Sequence, residues 1–301
     1  MSRLSAGSSP FEVAVVLVVG GLYFAVIAAW FLMRASHAAD RPNVEDWARA
    51  HALTLTERNW PIIAQYLLLG QWLRTIGGVG GLALGPLVSL AVGVEVDSGF
   101  LWWVWIIGGC LIGALWAELF LTRPVPGTRS ASLSPRLLGD YLPGRLRWSL
   151  RFAGLAALLV GIAGWATPDV GGPAMSSGGV SSGASLGLGI AGAVLALAVE
   201  ALQRHIIGRP QPVVASDVLA ADDAIRAGSV HTLAGAGLGI ELLVVAVAVV
   251  RVIEAHPHLP LGLSGFPYVL VIAGLSAWRY YSHRAWRVQR PVSTAAAPVG
   301  Q

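Results

Sequence analysis

Apolar positions along this chain do not alternate, and they do not recur on one face of amphipathic helices. They run in blocks, at roughly residues 11–33, 75–94, 100–121, 149–166, 184–202, 232–253 and 266–281. Each block is at or near the ~20 residues that a helix rising ~1.5 Å per residue needs to cross ~30 Å of hydrocarbon. A soluble core has no use for so many uninterrupted apolar runs. The pattern predicts an all-α fold, a transmembrane helical bundle of about seven helices in one membrane domain spanning 1–301. The fourth and seventh blocks are the shortest. The first is longer than the ~7–15-residue apolar region of a signal peptide and is closed at once by Arg34, so it reads as a span.

The polar segments between the blocks carry the orientation. Of the 20 basic residues all are arginine, and 18 fall in segments 34–74, 122–151 and 203–231 or in the tail from Arg279 onward; only Arg3 and Arg251 lie elsewhere. The intervening segments hold Glu95, Asp97, Asp169 and Glu254. The excess of arginine on alternate loops predicts N-terminus out and C-terminus in. Tryptophans agree, with Trp102, Trp103, Trp105 and Trp165 toward the outer interface and Trp30, Trp116, Trp148 and Trp278 toward the inner one.

The arginine-rich loops also resemble one another. Thr54-Leu55-Thr56-Glu57-Arg58 matches Ser132-Leu133-Ser134-Pro135-Arg136 in chemistry at four of five positions, and Ser216-Asp217 stands at the corresponding place in the third loop. An ungapped offset of 82 residues places Glu118 on Glu200, Ser134 on Ser216 and Asp140 on Asp222. Thr56, Ser134 and Ser216 suit helix N-caps, and Pro135 suits a first helical turn. This motif predicts three parallel hairpin repeats, at about 11–94, 100–166 and 184–253, followed by a last helix at 266–281 and a disordered cytoplasmic tail at 285–301.

Glycines at four-residue spacing recur within the spans: Gly77, Gly81 and Gly85, then Gly109 and Gly113, then Gly235 and Gly239. Such spacing lets helix backbones approach closely in lipid, and its expected use is packing within the chain. Pro86 is expected to kink the second span. Segment 171–183, rich in glycine and serine, reads as a flexible loop.

Composition narrows the chemistry. Charged residues make up 12% of the chain, against about 25% in soluble domains. The net charge of +4 comes from arginines flanking apolar segments, so no nucleic-acid partner is implied. The single cysteine, Cys110, excludes an intrachain disulfide. His256 and His258 alone do not make a metal site. Gly262-Leu263-Ser264-Gly265 matches the nucleophile motif of intramembrane rhomboid proteases, but the only later histidine, His283, would lie about 28 Å along the same helix, so no base reaches the serine. No catalytic constellation, metal or cofactor is expected.

Three acids remain as candidates for a proton or ion site. Glu241 lies near mid-depth of the sixth block, where an ionised carboxylate costs roughly 2.5–3.5 kcal/mol, so it must be neutral, paired or hydrated. Glu118 and Glu200 close the third and fifth blocks, and Glu200 stands four residues before Arg204. In the loops, Thr56, Arg58, Ser134, Arg136, Ser216, Asp140 and Asp222 form the repeated polar motif.

Several runs have a familiar look: Arg209-Pro210-Gln211-Pro212, Ala221-Asp222-Asp223-Ala224-Ile225-Arg226, Ser229-Val230-His231, Asp140-Tyr141-Leu142-Pro143 and Trp278-Arg279-Tyr280-Tyr281. Over most of its length the chain resembles polytopic integral membrane proteins of actinobacteria that have no established activity. The resemblance implies a bacterial plasma membrane location and carries over no site residue. The reading favoured by the sequence is a non-enzymatic membrane partner or scaffold subunit that meets another protein at its cytoplasmic loops. The alternative is a small proton-coupled secondary transporter or channel built on Glu241.

Overall fold

The computed structural model describes residues 25–30, 32–92, 99–120, 129–130, 137–167, 181–209, 211–212, 215–254, 256 and 265–283. Most of the first apolar block lies outside these residues. So do Ser134 and Arg136, most of segment 171–183, Ser264, His258 and the tail from 285. Within the described residues the fold is helical apart from a two-residue antiparallel ladder, β1 (Arg129–Ser130) against β2 (Gln211–Pro212).

In chain order the helices are α1 (Ala25–Ser36), α2 (Arg41–Ala50), α3 (Trp60–Val92), α4 (Gly99–Phe120), α5 (Leu138–Tyr141), α6 (Gly144–Ala166), α7 (Ser182–Ile207), α8 (Ser216–Glu254) and α9 (Phe266–His283). Five of them, α3, α4, α6, α7 and α8, contain stretches long and apolar enough to cross a membrane. Their outward faces are apolar: Leu155, Leu159 and Ile162 on α6 and Ile190, Val194 and Leu197 on α7 are all exposed. Exposed apolar area on this scale marks a surface made for lipid.

Two helices differ from the apolar blocks that predicted them. The sixth block was expected to start near Thr232, apart from a loop helix near Ser216, but 216–254 is one continuous helix of 39 residues. At ~1.5 Å per residue that is about 58 Å, well beyond the ~30 Å of a hydrocarbon layer. Segment 216–231 contains no proline, and an Asp222–Arg226 pair four residues apart supports the helix there. Nothing therefore stops the helix where the polarity changes. For the same reason α3 begins at Trp60, fifteen residues before its apolar block, and its backbone continues through Pro86 to Val92.

Helix α8 is the centre of the bundle, packing against α4, α6, α7 and α9. The closest pairs are α3 with α4, α6 with α7, and α8 with α9. Each pair is joined across the arginine-poor end, so the middle hairpin unit read from sequence gives one helix to each of two pairs. Glycine lines all three seams. A Cβ on Gly77 or Gly81 would run into the backbone carbonyls of Gly109 and Trp105. A Cβ on Gly161 would meet the Gly189 Cα at 2.8 Å, and one on Gly274 would meet the Gly239 carbonyl at 3.1 Å. The predicted glycine spacing thus serves packing within the chain.

At the arginine-rich end, α2 is a short amphipathic helix with Pro42 in its first turn. Its Val44 packs with Ile63 of α3 and Ala221 of α8. It ends in a Schellman motif: the Leu53 and Ala52 amides donate to the Ala48 and Arg49 carbonyls, and Ala52 takes φ 54°. That region is strained for any residue with a Cβ. Ala52→Gly is expected to raise stability by about 1 kcal/mol, seen as a higher unfolding temperature in detergent.

Candidate functional site

The structure separates the three candidate acids by what surrounds them. Glu200 on α7 faces the arginine-rich boundary. Arg151 of α6 grips it with both Nε (3.1 Å) and Nη2 (2.5 Å), and Arg204 adds a contact at 2.5 Å. A carboxylate held by two guanidiniums is satisfied as an ion, and its work is to tie α6 to α7.

Glu118 on α4 is buried, but in polar company. The hydroxyls of Ser229 on α8 and Tyr66 on α3 act on its carboxylate without a hydrogen bond of ordinary geometry, as do the charges of Arg74 and Arg209. Tyr66 also meets Thr232. This group draws α3, α4, α8 and the turn after α7 together. Glu118 and Glu200 share none of these neighbours, so they do not form one paired acidic site.

Glu241 is different. Like Glu118 it is fully buried, on α8, and among the described residues neither carboxylate oxygen of either acid makes a hydrogen bond of ordinary geometry; what differs is the company. Its surroundings are glycine and small apolar side chains from α6 and α7. A Cβ on Gly192 would lie 2.7 Å from Oε2, and one on Gly154 would lie 3.9 Å from Oε1. Ala157 and Val244 close the same space around Gly192. The absence of side chains at 154 and 192 is what makes room for the carboxyl at the junction of three helices.

The loop-motif residues fall into two arrangements. Thr56 and Asn59 cap the approach to α3 reciprocally: the Asn59 amide donates to the Thr56 hydroxyl oxygen (3.2 Å) and the Thr56 amide to Asn59 Oδ1 (2.9 Å). The Thr56 hydroxyl donates to Asp217 at the start of α8 (2.6 Å), joining the first arginine-rich segment to the third. Arg58 is exposed and adds its charge near Asp217. Ser216 is the first residue of α8. Asp140 accepts from the Leu137 amide (3.2 Å) at the start of α5, and Asp222 pairs with Arg226 at 2.8 Å.

Sequence reasoning gave no site role to Gly154, Gly192, Tyr66, Ser229 or Arg226. Gly189, Gly192 and Ala196 lie three and four residues apart on α7, a small-residue face that could have been read. The convergence of Tyr66 and Ser229 on Glu118 joins positions about 50 and 110 residues from it in sequence and had no local signal.

Among the described residues no group of three or more His, Cys, Asp or Glu side chains could hold a metal ion. The fold is that of a helical bundle with membrane-spanning character, and its interior buries two carboxyls, Glu118 beside hydroxyls and arginines and Glu241 among glycines. No family model matches the chain, and neither does any curated protein or solved structure.

Proposed function

We propose that this chain is a seven-span protein of a bacterial plasma membrane in which Glu241 takes up and releases a proton, and that it works as a small proton-coupled secondary transporter. The observation that carries this reading is the company of the Glu241 carboxyl: fully buried in a membrane-type bundle, it has no hydrogen-bond partner among the described residues and, unlike Glu118, meets only glycines and small apolar side chains. A structural carboxyl in such a place would be expected to bridge helices by a hydrogen bond, as buried polar groups do. Glu241 instead faces glycines, where α6 and α7 can shift against α8 without dragging side chains through one another. Intramembrane acids of this kind mark proton and ion pathways.

A hydrophobic carbodiimide tests this without knowledge of the cargo, because it modifies only protonated carboxyls that it reaches through lipid. In liposomes Glu241 is expected to be modified, faster at low pH than at high pH, with Glu200 left untouched. Glu241→Gln is expected to abolish the modification and any uptake driven by a pH gradient, while folding normally. Absence of modification at every pH, or unchanged pH-driven uptake in the Gln variant, would end the transport reading.

Seven spans, N-terminus out and C-terminus in, rest on the alternation of arginine between segments. Reporter fusions after Ala38, Arg129 and Arg290 are expected to report cytoplasm, and one within 176–182 the outside. An outside signal at Arg129 would overturn this orientation. The reciprocal Thr56–Asn59 cap ahead of α3 and the start of α8 at Ser216 support a parallel repeat.

A scaffold role is the second reading. It is favoured by the ordered platform of α2, the start of α3 and the start of α8, locked by the Thr56–Asp217 hydrogen bond. Under that reading Glu241→Gln would leave function intact, and Asp217→Ala would release a stoichiometric partner.

A further inference from the structure

Two buried polar side chains point into one seam. Where α6 packs on α7, Ala157, Gly161 and Gly164 meet Gly192, Gly189 and Ser185 in turn, and all of them are buried. The Glu241 carboxyl of α8 enters this seam at Gly192. Seven residues away, about 10 Å along α7 toward the arginine-poor end, the Ser185 hydroxyl enters it where Gly164 leaves room. Ser185 and Glu241 are both 0% exposed, and among the described residues neither the Ser185 Oγ nor either Glu241 oxygen has a hydrogen-bond partner. Resting on the reading of Glu241 as a proton carrier, we propose that this stretch of seam is the route by which Glu241 exchanges its proton with the arginine-poor side, with Ser185 as the relay.

The route is shut in the structure where Gly161 and Gly189 meet, with the Cβ position of Gly161 2.8 Å from the Gly189 Cα. Only backbone hydrogens need to part there, so a small separation of α6 from α7 admits a file of water. The carboxyl at one end and the hydroxyl at the other supply polar partners that such water needs. A hydronium ion from the arginine-poor side then gives a proton to the Ser185 oxygen. The hydroxyl proton passes by water to the Glu241 carboxylate, and Ser185 is left neutral.

The opposite direction is closed by bulk. One turn from Glu241 toward the arginine-rich end, Leu150 and Val199 lie 3.2 and 3.1 Å from the Cβ position of Gly237. With Leu146 and Leu233 they belong to the apolar cluster that fills this part of the bundle. Charged and titratable groups on the packed elements stand away from Glu241. Arg151 on α6, Glu200 on α7, Glu118 on α4 and Arg279 on α9 are all toward the arginine-rich end, and His231 and Arg251 are ten residues to either side along α8. The Arg251 stem borders Gly164, and its guanidinium lies 3.5 Å from the Thr167 carbonyl, at the end of α6 where the helix dipole favours a cation.

Carbodiimide modification of Glu241 tests the route in vesicles of one orientation, with the pH set separately on each side. The rate is expected to rise about tenfold when the arginine-poor side is acidified and to ignore the pH of the other side. A rate that follows the arginine-rich side, or both sides equally, would overturn the route and leave Glu241 a proton carrier. No modification at any pH on either side would end the proton reading itself, and the route with it. Silver ion, small and membrane-impermeant, probes the position of Ser185. Ser185→Cys is expected to be protected from later alkylation by silver added on the arginine-poor side, whereas Ala196→Cys, beyond Glu241 in the same seam, is not. The parent chain, whose single cysteine is the buried Cys110, gives the blank. A folded Ser185→Cys that silver does not reach from that side would take Ser185 out of the route.

Discussion

Gly81→Leu is expected to break the α3–α4 pair. A Cβ at this position would point into the Trp105 carbonyl, with the carbonyl carbon at 3.0 Å and the Gly109 Cα at 3.1 Å. These are backbone atoms of the facing helix, so no rotamer change can clear them. The helices must separate, and Gly77, Gly85, Gly109 and Gly113 lose their close contacts in the same step. Overpacking a dense interface costs about 1–3 kcal/mol, and a seam lost as a unit belongs at or above the upper end. The control lies one residue away: a Cβ on Gly80 meets nothing within 4 Å. Gly80→Leu is therefore expected to leave unfolding in detergent nearly unchanged, while Gly81→Leu lowers its temperature sharply and reduces yield. Equal behaviour of the two variants would mean that the seam does not hold the pair together.

This contrast also shows which parts of the fold were legible in sequence. Apolar blocks and arginine alternation depend on local composition alone, and the block positions find helices directly: 100–121 is close to α4 and 266–281 is close to α9. The GxxxG spacing of Gly77, Gly81, Gly109 and Gly113 carries its own partner information, because a glycine face only has a purpose against another backbone. Helix ends were less visible. Hydropathy marks where a helix enters lipid, whereas the helix itself ends where capping and propensity end it. That is why α3 and α8 run a dozen or more residues past their apolar blocks. For the candidate site, depth singled out Glu241 at mid-span and put Glu118 at the end of its block, but it did not show what surrounds either acid. What distinguishes them is company: Ser229, Tyr66, Arg74 and Arg209 around one carboxylate, and Gly154 and Gly192 around the other. These neighbours arrive from other helices, and a single chain read in order does not announce them.

The polar company of Glu118 depends in turn on Arg226, and Arg226→Met is expected to destabilise the arginine-rich end by about 3 kcal/mol. Arg226 is almost wholly buried on α8. Its Nε donates to Asp222 at 2.8 Å, and its Nη1 donates to the backbone carbonyls of Arg209 (2.8 Å) and Ile206 (3.5 Å). It therefore serves as the C-terminal cap of α7, where unpaired carbonyls and the negative end of the helix dipole favour a cation. Methionine fills much of the same volume but supplies no donor, so Asp222 is left without its guanidinium and the end of α7 without its cap. The same hydrogen bond holds the backbone of Arg209, whose charge acts on Glu118, so loosening one end loosens the other. Lysine keeps the charge but cannot form the forked contact to Asp222 and two carbonyls, and Arg226→Lys is expected to recover only part of the loss. Thermal unfolding in detergent gives the overall effect. Hydrogen exchange locates it, with faster exchange expected at residues 204–209 and at the Glu118 end of α4, and little change at the α8–α9 seam around Gly239 and Gly274. An Arg226→Met protein within 1 kcal/mol of the parent, with unchanged exchange at 204–209, would show that α7 is held by packing alone.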